Sequence, residues 1–505
     1  MERIGRSMKL LLLAALAASA SSAKAQPPEE EPRQRLTVFI SDSHWGLGPR
    51  DRTEDFLWHK AFRGFLAHVS EKGNDAVDLV ILGDFLELWQ RPLNLPCVDN
   101  ADPDLGCTVE EMQALTARVL TAHRYDLESI KRFTRRGSNH VYIVPGNHDA
   151  ALLAPSVWAL VTEALGSSRD SVTFEADGLW TSESGHVVSE HGHQIGRDAN
   201  RYPQWPDVTV QRGGQVFMIR SWGENFVQAL FNAEEREYTI IDNLSPRSAG
   251  ALYRLGDRGI ARSAWDLARF ALFNVYETSV TQKMASLGPK GEKDIRIDPE
   301  VARRQGHRLI IGALAADDPF RQRLEDDSDS ARDARAELDT LVENLEPDEL
   351  KMLCEKQMDH GNPCGATLGA LAEDKLVPRA EVLRSHLEKR LRDNPRMHIF
   401  VYGHTHAYEV PWQLELNRGR DEVLVMNTGA FQRLIDKDGY LERVRTMGIT
   451  PSEGLRRIGL RNLAPCYSAV FVEYLGGRPR PSVHLWRMPE SGQGELLAPW
   501  SSACR

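Results

Sequence analysis

The chain has 505 residues, 41% of them hydrophobic and 27% charged. That is a soluble globular composition, long enough for two or three cores, and it excludes disorder of the whole chain. The formal charge of −10 at pH 7 gives no general attraction for nucleic acid, so no nucleic-acid partner is expected; bound phosphate needs local positive charge such as metal ions.

In chain order, Arg3, Arg6 and Lys9 precede an apolar run from Leu10 to Ala18, and small residues end at Ala23-Lys24-Ala25. This pattern predicts a cleavable secretory signal over residues 1–25 and an exported protein, periplasmic or secreted. An uncleaved anchor is the weaker alternative, because the run falls short of the ~20 residues that span a bilayer. Loss of the signal removes Arg3, Arg6, Lys9 and Lys24 but only Glu2, moving the formal charge to −13. Residues 26–35, rich in Pro and Glu, read as a disordered linker.

Six cysteines in an exported chain suggest disulfides. Closeness in sequence favours Cys97 with Cys107 and Cys354 with Cys364, leaving Cys466 for Cys504. Reduced buried thiols are the alternative; thiolate zinc ligation is disfavoured because no Cys-x-x-Cys occurs.

Leu36 to Ile40 reads as a buried strand running into Asp42 and His44. Asp78 to Leu82 and His140 to Val144 repeat the arrangement, ending on Gly83-Asp84 and on Pro145-Gly146-Asn147. Helix-like spacing fills the intervals around Asp55 to Ser70 and Val109 to Arg135. Val187 to Ser189 precede His191, Met397 to Tyr402 precede Gly403, and Val423 to Asn427 and Ser468 to Tyr474 look like further strands. Strands alternating with helices predict an α/β fold, with ligands gathered at strand ends.

Residues 211–394 lack those junctions and are helix-like, so they are expected as a large helical insertion between core segments 36–210 and 395–505. Ser263 to Met284 carries Trp265, Phe270, Phe273 and Tyr276. It packs into its own core or forms a cap whose apolar face meets a hydrophobic substrate. Leu324 to Leu350 is strongly charged and reads as a solvated helical face.

The motifs Asp42-Ser43-His44, Gly83-Asp84, Gly146-Asn147-His148-Asp149, Glu190-His191-Gly192-His193 and Gly403-His404-Thr405-His406 follow those strands. Asp42, His44, Asp84, Asn147, His191, His404 and His406 supply seven metal-binding side chains of mixed N and O type. Such a set suits two divalent ions of the Mn, Fe or Zn kind. Asp42 and His44, two residues apart, can point the same way, and the two carboxylate oxygens of Asp84 can bridge both ions.

These motifs closely resemble the calcineurin-like metallophosphoesterase superfamily, whose pattern is D-x-H, G-D, G-N-H, a lone His and G-H-x-H. The resemblance covers roughly residues 36–207 and 395–487. It implies a four-layer α/β/β/α sandwich, with one ion held by Asp42, His44, Asp84 and His406 and the other by Asp84, Asn147, His191 and His404. The implied reaction is phosphoester hydrolysis by a metal-bound hydroxide without a phosphoenzyme. His148 then stabilises the phosphoryl group or protonates the leaving alkoxide. Glu87 stands where many members carry an acid that orients this histidine. His193 either lines the site or is solvated, and Asn427-Thr428-Gly429 resembles a strand end of supporting role.

Gly83-Asp84-Phe85-Leu86-Glu87-Leu88-Trp89, with His191-Gly192, Asp198 and Tyr202, resembles the UDP-2,3-diacylglucosamine pyrophosphatase branch more than the serine/threonine protein phosphatases. That branch typically has G-N-R-D, is cytosolic and is much shorter, so its substrate is not transferred. Arg197 and Arg201 are candidate phosphate contacts beside Asp198. The leading expectation is an exported phosphoesterase acting on a phosphorylated small-molecule or lipid substrate. One alternative is a lipid-linked or nucleotide-sugar pyrophosphatase in peripheral contact with a membrane, and another is a catalytically silent metal-binding scaffold. Oligomeric state is left open.

Overall fold

A computed structural model describes residues 35–92, 97, 102, 104–196, 200–228, 232–245, 332 and 379–504. Seven strands build the first sheet: β1 (Leu36–Ile40), β2 (Val77–Leu82), β4 (His140–Val144), β5 (Val172–Phe174), β15 (Cys466–Leu475), β16 (Arg478–Arg487) and β17 (Glu495–Leu497). Their order is β17-β16-β15-β1-β2-β4-β5. The second sheet contains β6 (Leu179–Thr181), β7 (Val187–Glu190), β11 (Ile399–Tyr402), β12 (Tyr408–Leu416) and β13 (Asp421–Thr428), in the order β12-β13-β11-β7-β6.

The alternation of side chains along each strand divides the core. From β1, Leu36, Val38 and Ile40 face a helical layer, whereas Phe39 joins Val80, Leu82, Ile399, Val401 and Met426 between the two sheets. The helical layer comprises α1 (His59–Lys72), α2 (Val109–Ala122), α3 (Arg124–Thr134) and α4 (Pro155–Leu165), which contribute Phe65, Val119, Ile130 and Val161. On the far side, Leu383 and Leu387 from the helix Arg379–Asp393 pack with Phe400, Tyr402 and Val425. The result is the four-layer α/β/β/α sandwich that the resemblance implies.

β1, β2 and β4 are mutually parallel, as are β7, β11 and β13. Parallel strands send their C-terminal loops to one end of the sheet, and this places the candidate site there.

The segment expected as insertion begins within the core. β8 (Thr209–Arg212) and β9 (Gln215–Ile219) form a hairpin, and β9 pairs with β3 (Leu105–Thr108). The hairpin spans the expected boundary at 211, and its turn is Gly213-Gly214 with φ of 60° and 83°, the geometry of a tight primed turn. Tyr238, Ile240, Ile241 and Leu244 share a further core cluster with Ile435, Tyr440 and Val444. The aromatic segment Ser263 to Met284, the charged segment Leu324 to Leu350 apart from Arg332, Cys354, Cys364 and residues 1–34 lie outside the described residues.

Other boundaries also shift. The first helix starts at His59 rather than near Asp55, and the helical run from Val109 is broken at His123. Cys97–Cys107 and Cys466–Cys504 form disulfides. No helix among the described residues is long and apolar enough to cross a membrane.

Candidate metal centre

The loops leaving β1, β2, β4, β7 and β11 carry, in turn, Asp42 and His44, Asp84, Asn147 and His148, His191, and His404 and His406. Asp42, His44, Asp84, His404 and His406 adopt φ between 46° and 71°. This left-handed region costs a non-glycine residue on the order of 1–3 kcal/mol, and such strain clusters at functional sites. Backbone bonds hold it in place: Asp42 N–H donates to Gly83 O at 3.1 Å, His44 N–H to Asp84 O at 2.9 Å, and Gly403 N–H to His191 O at 2.8 Å. Gly146 has no room for a side chain, since a Cβ there would lie 2.2 Å from Asp84 Oδ1.

Two donor groups result. In the first, His44 Nδ1 donates to Glu87 Oε2 at 2.8 Å, which leaves a lone pair on Nε2. That atom lies 3.2 Å from His406 Nε2, which is itself 3.3 Å from Asp42 Oδ1. In the second, His191 Nδ1 donates to Leu82 O at 2.9 Å. Its Nε2 then faces Asp84 Oδ2 at 3.0 Å and Asn147 Oδ1 at 3.1 Å. The donor atoms of Asp42, His44 and His406, and those of Asp84, His191 and His404, each lie within 4.8 Å of one another. Asp84 Oδ2, also 3.7 Å from His44 Nε2, is common to both.

Lone pairs facing lone pairs at about 3 Å repel unless a proton or a cation lies between them. The spacing is that of neighbouring ligands on one ion with bonds of about 2.0–2.2 Å. Burial disfavours a charged ring at His44, yet Glu87 and Asp84 push its pKa up to about 9. Burial likewise opposes charge on His191, but Asp84 and Asp42 raise it to about 10. Carboxylates that draw a proton onto these rings equally draw a divalent cation, so the donor set fits metal.

A family model described as calcineurin-like phosphoesterase matches residues 36–272. The chain carries a calcineurin-like phosphoesterase domain. Members of this family are metal-dependent phosphoric ester hydrolases acting on phosphorylated substrates. No curated protein matches the chain. The family match ends well before Gly403-His404-Thr405-His406, and the folded geometry brings that turn to the same centre.

Around the donor groups, this calcineurin-like phosphoesterase domain holds His148 by several contacts. Its Nδ1 donates to Glu87 Oε2 at 2.6 Å, its backbone N–H donates to Asp84 Oδ1 at 2.9 Å, and its ring stacks on Trp89 at 3.9 Å between centroids. Burial pushes the Glu87 carboxyl up, but His148 and His44 bring it down to about 2. Trp89 had no assigned role in the sequence, although it closes the same Gly-Asp motif.

Asp149 also went unassigned. Its Oδ2 accepts from the Phe85 N–H at 2.7 Å and its Oδ1 from the Gly146 N–H at 2.6 Å, tying the Asp84 turn to the Asn147 turn. Tyr202 OH donates to Asn147 O at 3.2 Å. Asn427 Nδ2 donates to Gly403 O at 2.8 Å, and its Oδ1 accepts from the Gly429 N–H at 2.8 Å, bracing the histidine turn.

Of the candidate substrate contacts, His193 and Arg201 are described. His193 is neither solvated nor hydrogen-bonded among the described residues. It is buried against Trp205, ring centroids 4.3 Å apart, with its ring 5.5 Å from His191. Burial, reinforced by His191 and His404, holds its pKa well below the ordinary value. Arg201 Nη1 donates to the carbonyls of Gln194 and Gly196, satisfying the backbone of its own loop. Arg197 and Asp198 lie outside the described residues.

Proposed function

We propose that this chain is an exported binuclear phosphoesterase. One ion is held by Asp42, His44, Asp84 and His406, and the other by Asp84, Asn147, His191 and His404. The observation that carries this reading is His191, whose Nδ1 is committed to Leu82 O so that Nε2 faces the oxygens of Asp84 and Asn147. Divalent ions there supply Lewis-acid polarisation of a phosphoryl oxygen and a more acidic water.

The chain's own residues do the rest. Glu87 keeps the Nδ1 proton of His148 and fixes the ring, leaving Nε2 as the atom that delivers a proton to the leaving oxygen. In the hydrolysis the bond from phosphorus to the leaving oxygen breaks as the bond to the water oxygen forms. The attacking water gives up a proton to solvent, the proton from His148 makes the leaving group an alcohol and is replaced from solvent, and the phosphate is released with no covalent enzyme intermediate.

Export is supported by the basic, apolar and A-x-A sequence of residues 1–25 and by two disulfides, which persist in oxidising compartments. The mature chain should begin at Gln26, which N-terminal sequencing of the exported protein reads directly.

Elemental analysis of the purified full chain should find two divalent ions per chain. Chelation should abolish hydrolysis and added Mn, Fe or Zn restore it, across a panel of phosphomonoesters, diesters and pyrophosphates. One ion at saturation would overturn the binuclear reading, and a metal-replete chain inactive on every class would overturn the enzyme.

A further inference from the structure

The two carboxylate oxygens of Asp42 have unlike surroundings. Oδ1 faces His406 Nε2 at 3.3 Å, within the first donor group. Oδ2 instead accepts from the His404 N–H at 3.0 Å and from the hydroxyl of Ser41.

Ser41 Oγ in turn lies 2.6 Å from Thr428 Oγ1, at the end of β13, and 2.9 Å from Gly429 O. Ser41, Asp42 and Thr428 are all buried, so bulk water does not compete for these groups. The contact between the two hydroxyls ties the loop after β1, in the first sheet, to a strand end of the second.

The direction of the hydroxyl protons follows from counting them. A serine hydroxyl has one proton to give, and a metal-binding carboxylate has none. If the Ser41 proton pointed to Gly429 O, a hydroxyl lone pair would face a carboxylate lone pair in a buried site, which is costly. Bonds to an ionised acceptor are also the stronger ones, so the Ser41 proton belongs to Asp42 Oδ2. Ser41 Oγ then accepts, and Thr428 is its donor. The other acceptors near Thr428 Oγ1, Tyr402 O at 3.2 Å and Gly429 O at 3.4 Å, are farther away than Ser41.

This relay, from Thr428 through Ser41 to Asp42 Oδ2, occupies one carboxylate oxygen and leaves the other beside His406. It bears on one donor group alone. Among the described residues, neither hydroxyl is hydrogen-bonded to Asp84, Asn147 or His191.

We propose that Ser41, backed by Thr428, is a positioning residue that fixes Asp42 as a one-oxygen ligand and so sets the affinity of the ion shared with His44 and His406. This assignment rests on the binuclear reading of the centre.

The test draws metal from the Zn²⁺-loaded full-length chain with a competing dye and reads the affinity of each ion. His406→Ala and His191→Ala assign the two ions to their donor groups. Ser41→Ala should weaken the His406 ion about 10–100-fold and leave the His191 ion nearly unchanged. Thr428→Val should weaken the same ion to a smaller extent, and Thr428→Ser, which keeps the hydroxyl, should hold parental affinity. Because Thr428 acts through Ser41, Thr428→Val should add nothing in a chain already carrying Ser41→Ala. General loosening of the fold does not produce that non-additivity.

Equal weakening of both ions, additive losses in the double variant, or parental affinity in Ser41→Ala overturns the assignment and leaves the binuclear phosphoesterase standing. If Ser41→Ala does not fold, Thr428→Val against Thr428→Ser decides: a loss that the serine avoids upholds the relay, and no difference between them ends it. A parent chain that takes up no zinc overturns both readings. A parent chain with a single ion overturns the binuclear reading, and whether that ion weakens in Ser41→Ala then decides the role of Ser41.

Discussion

Glu87 Oε2 lies 2.6 Å from His148 Nδ1. The same oxygen accepts from His44 Nδ1 at 2.8 Å, so one buried carboxylate orients both a candidate metal ligand and the candidate proton donor. Partners of this kind fix the tautomer and direction of a ligating imidazole.

Glu87→Gln should therefore impair two properties together. A neutral amide oxygen accepts more weakly from the two imidazoles than a carboxylate oxygen does, and the amide NH2 would oppose the backbone N–H groups of Trp89 and Gln90 from which Glu87 Oε1 accepts. Metal affinity should fall about 10–100-fold, with a comparable loss of kcat at saturating metal. Titration with a metal-competing dye alongside steady-state kinetics checks it. A variant weakened in kcat alone would mean that His44 does not depend on Glu87.

His148→Gln should separate chemistry from metal binding. The side chain carries no assigned metal bond, so metal content should stay at the parental level while kcat falls on the order of 10²–10⁴-fold. The loss should be largest for alkyl phosphates and smallest for p-nitrophenyl phosphate, whose leaving group needs little protonation. An equal loss across leaving groups would assign His148 to phosphoryl stabilisation instead.

Gly146→Ala tests the packing beneath the shared carboxylate. The new methyl would sit 2.2 Å from Asp84 Oδ1 and 2.4 Å from Asp84 N, and overpacking of this kind typically costs about 1–3 kcal/mol. Because Asp84 must move, metal binding should weaken more than the melting temperature drops. Parental metal affinity in Gly146→Ala would show that the turn can yield without moving Asp84.

The candidate centre was legible because strand ends are local signals: an apolar run followed by a ligand residue occurs at Asp42, Asp84, Asn147, His191 and His404. Glu87 was legible from its spacing after Asp84. The strained φ values of five candidate ligands could not be read, because they arise from backbone bonds between loops far apart in sequence, such as Asp42 N–H to Gly83 O. Trp89 and Asp149 stood inside recognised motifs, but their roles depend on which way a ring or a carboxylate turns. The Gly213-Gly214 turn was a readable hairpin signal, obscured by the helical composition of the residues after it. The bonds from Arg201 Nη1 to its own loop could not be read either, because charge in a sequence does not show which groups a guanidinium meets.

His123 supplies a pH dependence remote from the metal ligands. It breaks the run between α2 and α3, with Nδ1 3.1 Å from Asp126 Oδ2 and Nε2 3.3 Å from Glu54 Oε2. Burial disfavours its charge, but Asp126 and Glu54 raise the pKa from 6.5 to about 9. A folded-state pKa above the unfolded one means that the folded chain binds the extra proton. The stabilisation is fully present below pH 6.5 and is lost as pH rises through about 9. A shift of this size corresponds to roughly 3 kcal/mol. Glu54 also accepts from the backbone N–H groups of Gly46, Gly48 and Phe56, so loss of the proton leaves a buried anion without its cationic partner while it still organises the loop after His44. The melting temperature of the parent chain should fall steadily from pH 6.5 to 9. His123→Gln should begin lower and lose most of that slope, and a parallel decline in both proteins would assign the dependence to other groups.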